Sequence, residues 1–356
     1  MSAVRALGAS ILVVVAIGGA APPADAHAGG SGAGPTNYET RVEAVSPTTP
    51  GIRVRPIDLG ERLELRNDTG SDVVVLGYDG EPYLRVGPGG VFENRRSPTT
   101  FLNENSEPTD ARVPDSADPA APPDWQRVSG STTARWHDHR AHWMASEDPP
   151  EVRRDRGSRH VVQEWTIELR RDGRGIEVTG DIVWVPGPSP WPWLLSAAAL
   201  GAVLLAVSRI RGWRWPVSAG LVVAMGAVVG HFLGGWGATT GSVASRLGQS
   251  IYPLGGLALA GVALALLISR RDPSDATPAL LIAGLVLAAG SGLADISTLW
   301  HSQLPSTQSG TAVRLEVVIA LGLGVGLAAV GASRLRTPSP EGRREGTAAA
   351  SRATTC

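Results

Sequence analysis

The chain contains no lysine, so all of its basic residues are arginine. That absence removes a Walker A phosphate loop, a Schiff-base lysine and a Ser-Lys dyad, each of which depends on the ε-amine. Cysteine is almost missing too: the only one, Cys356, is the terminal residue. A lone thiol allows no intramolecular disulfide, four-cysteine zinc site or cysteine-held cluster, and a terminal cysteine does not fit a prenylation box. Neither sign of charge is in excess, since 32 basic and 33 acidic residues leave a formal net charge of -1. Bulk electrostatics therefore gives no reason to expect nucleic acid as a partner.

What is present divides the 356 residues into segments of different character. Residues 1–26 carry a basic start at Arg5, an apolar core from Ile11 to Ile17, and Ala24 and Ala26 at signal-peptidase spacing. This apolar run falls short of the ~20 residues that span a bilayer, so a cleavable signal peptide is expected. Cleavage after Ala26 makes His27 the mature N-terminus, whereas cleavage after Ala28 discards it.

A Gly/Ser leader from Gly29 to Pro35 follows, and then period-two patterns recur to about Val185. Arg62–Arg66, Val73–Tyr78, Tyr83–Val86 and two strands around Asp172-Gly173 read as antiparallel strands, with Val161, Trp165, Ile167 and Leu169 on one face. Asp79-Gly80 and Asp172-Gly173 are two-residue hairpin signals. One apolar and one polar face per strand predicts, for residues 27–186, an extracytoplasmic immunoglobulin-like β-sandwich, with a barrel as the alternative. Asn103 to Asp124, rich in Pro, Asp and Glu, reads as a long loop.

Pro186 to Pro190 ends that pattern, and residues 187–336 read as a five-helix transmembrane bundle. The spans are Trp191–Val207, Pro216–Trp236, Ile251–Ile268, Pro278–Leu299 and Leu315–Gly331, with Trp191, Trp193, Trp215, Trp236, Tyr252 and Trp300 at their ends. Arg209, Arg211 and Arg214 share one loop, Arg270 and Arg271 another, and Arg334, Arg336, Arg343 and Arg344 the tail. The positive-inside rule puts these loops and a disordered tail, residues 337–356, in the cytoplasm and the β domain outside. The expected location is thus the cytoplasmic membrane, with the lipid bilayer as the first partner.

The densest chemistry is Trp136-His137-Asp138-His139-Arg140-Ala141-His142-Trp143-Met144. Imidazole suits Cu(II) and a thioether suits Cu(I), so His137, His139, His142 and Met144 are candidate copper ligands, with Asp138 as a carboxylate that orients one of the rings. In an extended strand His137 and His139 share one face while His142 and Met144 share the other, so one site requires a turn. The bland alternative is a set of surface and hydrogen-bonding histidines. His27, as a free terminus, would chelate through its α-amine and imidazole together.

A leader ending Ala24-Asp25-Ala26, then His27-Ala28, then a β domain with Val45-Ser46-Pro47 near its start, resembles CopC-type periplasmic copper-binding domains. The appended helices are similar to CopD, the membrane partner in that system. The Arg-Trp-His-Asp-His-Arg stretch also resembles one found in uncharacterised actinobacterial membrane proteins, a likeness that assigns no activity. What the resemblance implies is copper homeostasis in the cell envelope, with other envelope or copper-handling proteins as partners.

Other motifs carry less. Asp68-Thr69-Gly70 spells the aspartic-protease triplet but occurs once and sits among turn formers. Gly322, Gly324 and Gly326, like Gly226 and Gly230, read as small residues for helix packing. His231, Asp295, Arg314 and Glu316 are the ionisable exceptions within the apolar spans, with Asp295 and Arg314 the expected pair. No nucleophile and base stand together, so the expectation is a binding protein rather than an enzyme. The alternative is a non-enzymatic envelope assembly or interaction protein.

Overall fold

A computed structural model describes residues 34–104, 112–238, 243–269 and 272–335. The signal peptide, His27 and the tail with Arg343 and Cys356 lie outside the described residues. The chain forms two compact units, one of Ala33–Pro188 with Trp300–Pro305, the other including Ser189–Leu299 and the chain from Ser306 onward.

The first unit holds ten strands among the described residues: β1 (Tyr38–Ser46), β2 (Ile52–Ile57), β3 (Arg62–Asn67), β4 (Val73–Leu76), β5 (Pro82–Gly87), β6 (Gly90–Asn94), β7 (Trp125–Ser129), β8 (Thr133–His137), β9 (His160–Arg171) and β10 (Arg174–Trp184). They make a seven-stranded sheet in the order β1-β10-β9-β4-β5-β6-β7 and a three-stranded sheet in the order β2-β3-β8. Adjacent strands pair antiparallel throughout. Both sheets contribute to one hydrophobic cluster, Leu63, Leu65 and Trp136 from the smaller and Val75, Val86, Trp165, Ile167, Leu169 and Val178 from the larger. Two short helices interrupt the strands, α1 (Pro98–Leu102) and α2 (Pro150–Arg154).

Turn chemistry sets the register. Asp172 and Gly173 have φ of 49° and 75°, the pair of positive values that a two-residue hairpin between right-twisted strands needs. The Asp68-Thr69-Gly70 triplet is a turn: the Thr69 amide donates to Asn67 Oδ1 at 3.0 Å, and Asp68 pairs with Arg53 and Arg66.

One expected inward residue points out. Trp165, Ile167 and Leu169 are buried, but Val161 is 55% exposed. Val183 pairs with Val161 while Ile182 pairs with Gln163, so the strand has one extra residue at Val162. Such a bulge reverses the inward-outward alternation on its far side.

The second unit contains α3 (Trp191–Val207), α4 (Arg214–Ala238), α5 (Val243–Ile268), α6 (Thr277–Leu287) and α7 (Gly310–Leu335). Segments Arg214–Ala238, Ser250–Ile268, Ser274–Leu293 and Gly310–Leu335 are long and apolar enough to cross a membrane, whereas Trp191–Val207 is shorter at 17 residues. The expected span Pro278–Leu299 does not run as one α-helix. It passes into a π turn at Ala288–Leu293 and resumes as a short 3-10 turn at Ile296–Leu299.

Helix α7 is the centre of this unit, with α3, α4 and α6 all packed against it. Its glycines permit the approach. A Cβ on Gly322 would lie 2.4 Å from the Ala197 carbonyl oxygen, one on Gly324 2.7 Å from the Ala288 amide, and one on Gly326 3.0 Å from Gly201 Cα. Small residues at helix contacts are the means by which helices associate where apolar burial supplies no drive. Gly226, by contrast, faces open space. Leu195, Val203, Leu233, Ile251 and Leu254 are exposed, an apolar outer surface suited to hydrocarbon.

These environments predict opposite costs for two substitutions in the β domain. Leu65→Ala, at a fully buried position, is expected to cost about 2–5 kcal/mol in denaturant unfolding. Val161→Ala, on the outward side of the bulge, is expected to change stability by less than about 0.5 kcal/mol.

Candidate functional site

The histidine motif begins at the end of β8, where His137 pairs across the ladder with Arg62 of β3. The chain then reverses. Ala141 donates its amide to the Asp138 carbonyl at 3.0 Å, and the Arg140 amide donates to Asp138 Oδ1 at 3.1 Å.

That reversal is fixed from every side. The buried Asp138 carboxylate accepts from the Trp136 indole N–H at 2.9 Å and from Arg140 Nε and Nη2 at 2.9 and 2.8 Å. Arg140 also donates to the Leu76 carbonyl at 3.2 Å and lies over the Tyr78 ring at 4.9 Å. The Tyr78 hydroxyl accepts the His139 amide at 3.0 Å. From β9, Gln163 donates to the Arg140 carbonyl, and from β1, Thr40 donates to the Ala141 carbonyl, each at 2.8 Å. Trp143 stacks on Tyr38, their centroids 5.4 Å apart.

Held this way, the three imidazoles come together. The His137 ring centroid is 4.7 Å from that of His139 and 5.7 Å from that of His142. The turn that a single site requires is therefore present, and it carries His142 back to the side of His137. These ring contacts join imidazoles alone; Met144 is half-buried two residues beyond His142. Asp138 has a different role from the one its position suggested, because its carboxylate serves Trp136 and Arg140. The Glu61 backbone, beside the β3 residue that pairs with His137, instead favours the protonated His137 ring. His137 Nε2 is buried without a hydrogen-bond partner.

Electrostatics favours the neutral form of His137 and His142. Burial first, and then the nearby His137 and His139, push the His142 imidazole down to about 4. His137 is also lowered, chiefly by burial and then by His139, against the opposing effect of the Glu61 backbone. Neutral imidazole is the form that binds metals. The nitrogens do not yet surround one point: among the described residues, no group of three or more His, Cys, Asp or Glu side chains is arranged to hold a metal ion.

The second set of candidates lies in the helical unit. His231 Nε2 is 3.1 Å from Asp295 Oδ2, and His231 Nδ1 is 3.6 Å from Glu316 Oε2. Asp295 thus meets a histidine that sequence separation had hidden, while Arg314 Nε donates to the Thr298 carbonyl at 3.0 Å. His27 lies outside the described residues.

No known relative decides the question. Compared with protein-family models, curated proteins and solved structures, the chain has no match.

The depressed His142 value makes a stability prediction. The unfolded ring titrates near ~6.5, above its folded value of about 4, so unfolding takes up a proton in the interval. Stability from the neutral ring is complete above the unfolded value and is lost as pH falls toward the folded one, by at most about 3 kcal/mol. Urea unfolding of the β domain at several pH values is expected to show this decline, and His142→Gln to flatten it. An unchanged slope in the variant would place the acid sensitivity elsewhere.

Proposed function

We propose that this chain is an exported, membrane-anchored binding protein whose external β domain takes up copper at the His137, His139 and His142 cluster. The observation that carries the reading is the orphaned Nε2 of His137, buried beside two further imidazoles. The fit lies in donor chemistry and in that orphaned atom. Completing a coordination shell requires rotation of the His139 and His142 side chains.

Copper is preferred because imidazole suits the oxidised ion, and Met144, close in sequence, offers a thioether to the reduced one. The resemblance of the leader and the early Val45-Ser46-Pro47 to CopC-type domains supports the same metal. His27 joins the ligand set where it is the mature first residue. We read the two sheets as a sandwich, built as seven strands plus three and not as the four plus three of an immunoglobulin constant domain. We read α3 as a fifth span beside the four longer segments, with the arginine-rich loops inside.

Copper titration of the wild-type domain at neutral pH, beside His137→Ala and His142→Ala, tests the site. Each variant is expected to lose at least about tenfold in affinity, and wild-type binding should weaken as pH falls through the histidine range near ~6.5. Equal, weak binding by all three would remove copper and favour the interaction-protein reading, for which copurification from membranes is the direct assay. Orientation is tested with engineered cysteines in a Cys356→Ser background. An impermeant reagent applied to intact cells should label position 124 and leave position 343 untouched.

A further inference from the structure

We infer that the outward face of the β2-β3-β8 sheet binds a soluble oligophosphate, a short chain of linked phosphate groups, through Arg55, Arg66 and Arg135. The site shares no lining residue with the histidine cluster and stands apart from the copper reading.

Alternation along three paired strands builds this face. Leu63 and Leu65 of β3 are fully buried, so Glu64 and Arg66 project from the other side. The register sets Arg55 of β2 and Arg135 of β8 on either side of Glu64, and Arg53 directly opposite Arg66. Like charges facing each other across a ladder are destabilising, and here a single acid, Asp68, pairs with both Arg53 and Arg66. Four arginines on this face thus answer to two carboxylates, while Arg62, further along β3, has its own partner in Asp58.

A cavity of about 540 Å³ opens here, lined by Arg55, Glu64, Arg66, Ser129, Ser131, Thr133 and Arg135. Its volume falls in the range of roughly 300–1,000 Å³ that small ligands occupy. Among the described residues, three guanidinium groups and one carboxylate share that lining.

The unused hydrogen-bonding capacity is of one kind. Both oxygens of Glu64 are engaged, Oε1 by Arg55 Nε and Oε2 by Arg135 Nε, each at 2.7 Å. Arg66 also meets its acid through Nε, at 2.9 and 3.1 Å from the two Asp68 oxygens. All three arginines therefore keep their Nη groups for an incoming acceptor, and the side chains of Arg55, Arg135 and Arg66 are 68%, 46% and 56% exposed. Ser129 Oγ accepts the Ser131 amide and Ser131 Oγ accepts the Thr133 amide, each at 3.1 Å, so both hydroxyl protons are left to donate. Donors and surplus positive charge, beside a carboxylate already satisfied, select an anion rich in acceptor oxygens.

Geometry selects among anions. A planar carboxylate matches one guanidinium fork, whereas a tetrahedral phosphate accepts from several directions. Arg55 and Arg135 stand on the two strands that flank β3, roughly 10 Å apart at the backbone for strands about 4.8 Å from their neighbours. Linked phosphates reach across that distance; one phosphate does not.

Calorimetric titration of the full chain with inorganic tripolyphosphate, in a non-ionic detergent and metal-free buffer, tests the site. Two variants leave every acid a partner: Arg66→Gln keeps Arg53 on Asp68, and Arg55→Gln/Arg66→Gln also keeps Arg135 on Glu64. The wild type is expected to bind, and to bind less tightly as salt is added. Arg66→Gln should weaken binding about tenfold, the double variant should weaken it further, and citrate should bind more weakly than tripolyphosphate. No binding by the wild type, equal affinity in wild type and double variant, or citrate binding as tightly as tripolyphosphate would overturn the inference. Tighter binding of a soluble, short-chain phosphatidylglycerol would assign the arginines to lipid headgroups and overturn it likewise.

Discussion

Everything at the histidine cluster depends on one buried carboxylate. The Asp138 side chain is fully shielded from solvent, a costly situation for a charge unless it is paired and hydrogen-bonded. Trp136 and Arg140 meet that requirement from positions two residues before and after it. Their bonds bend the chain into a reversal, and Tyr78, Gln163 and Thr40 then tie its backbone to three other strands or their connections. The imidazoles are crowded and desolvated as a consequence of this frame, which would otherwise relax away from so much buried polar surface. Removing either member of the Asp138–Arg140 pair leaves the other uncompensated, so the scaffold of the site is more sensitive than the rings it presents.

Much of this architecture was legible in the sequence. The turn at Asp172-Gly173, the alternation of β9 and β10, and the apolar helices each followed from local periodicity, whereas Asp79-Gly80 lies in a longer connection, residues 77–81, and is not a two-residue hairpin. Val161 was misjudged because a bulge is a two-strand event: the extra residue at Val162 exists only relative to its partner β10. The short helices α1 and α2 carry too few turns for a periodic signal. At the site, residue types and their density were visible, but the convergence of His142 on His137 was not, since it depends on side chains more than sixty residues away, such as Tyr78. Adjacency favoured Asp138 as the orienting group, whereas its carboxylate is taken up by Trp136 and Arg140.

The helical unit shows the same division. His231, Asp295, Arg314 and Glu316 stood out because ionisable groups are rare in apolar runs, yet their pairing was set by features without a charge signature. Gly230 admits the Glu316 carboxylate, and a π turn precedes Asp295. The glycines of α7 serve the packing role expected of them, giving α3 and α6 close approach on different faces of one central helix. The β domain is held by apolar burial between sheets and the helices by contact through small residues, and each unit keeps its unusual polar groups within that framework.

The central claim is that the crowded imidazoles are ligands rather than packing. X-ray absorption on the copper-loaded protein examines the metal's own surroundings. The account predicts nitrogen donors at about 2.0 Å with the multiple-scattering signature of at least two imidazole rings, diminished in the His137→Ala protein. A copper environment of oxygen donors alone, or one identical in wild type and His137→Ala, would contradict it.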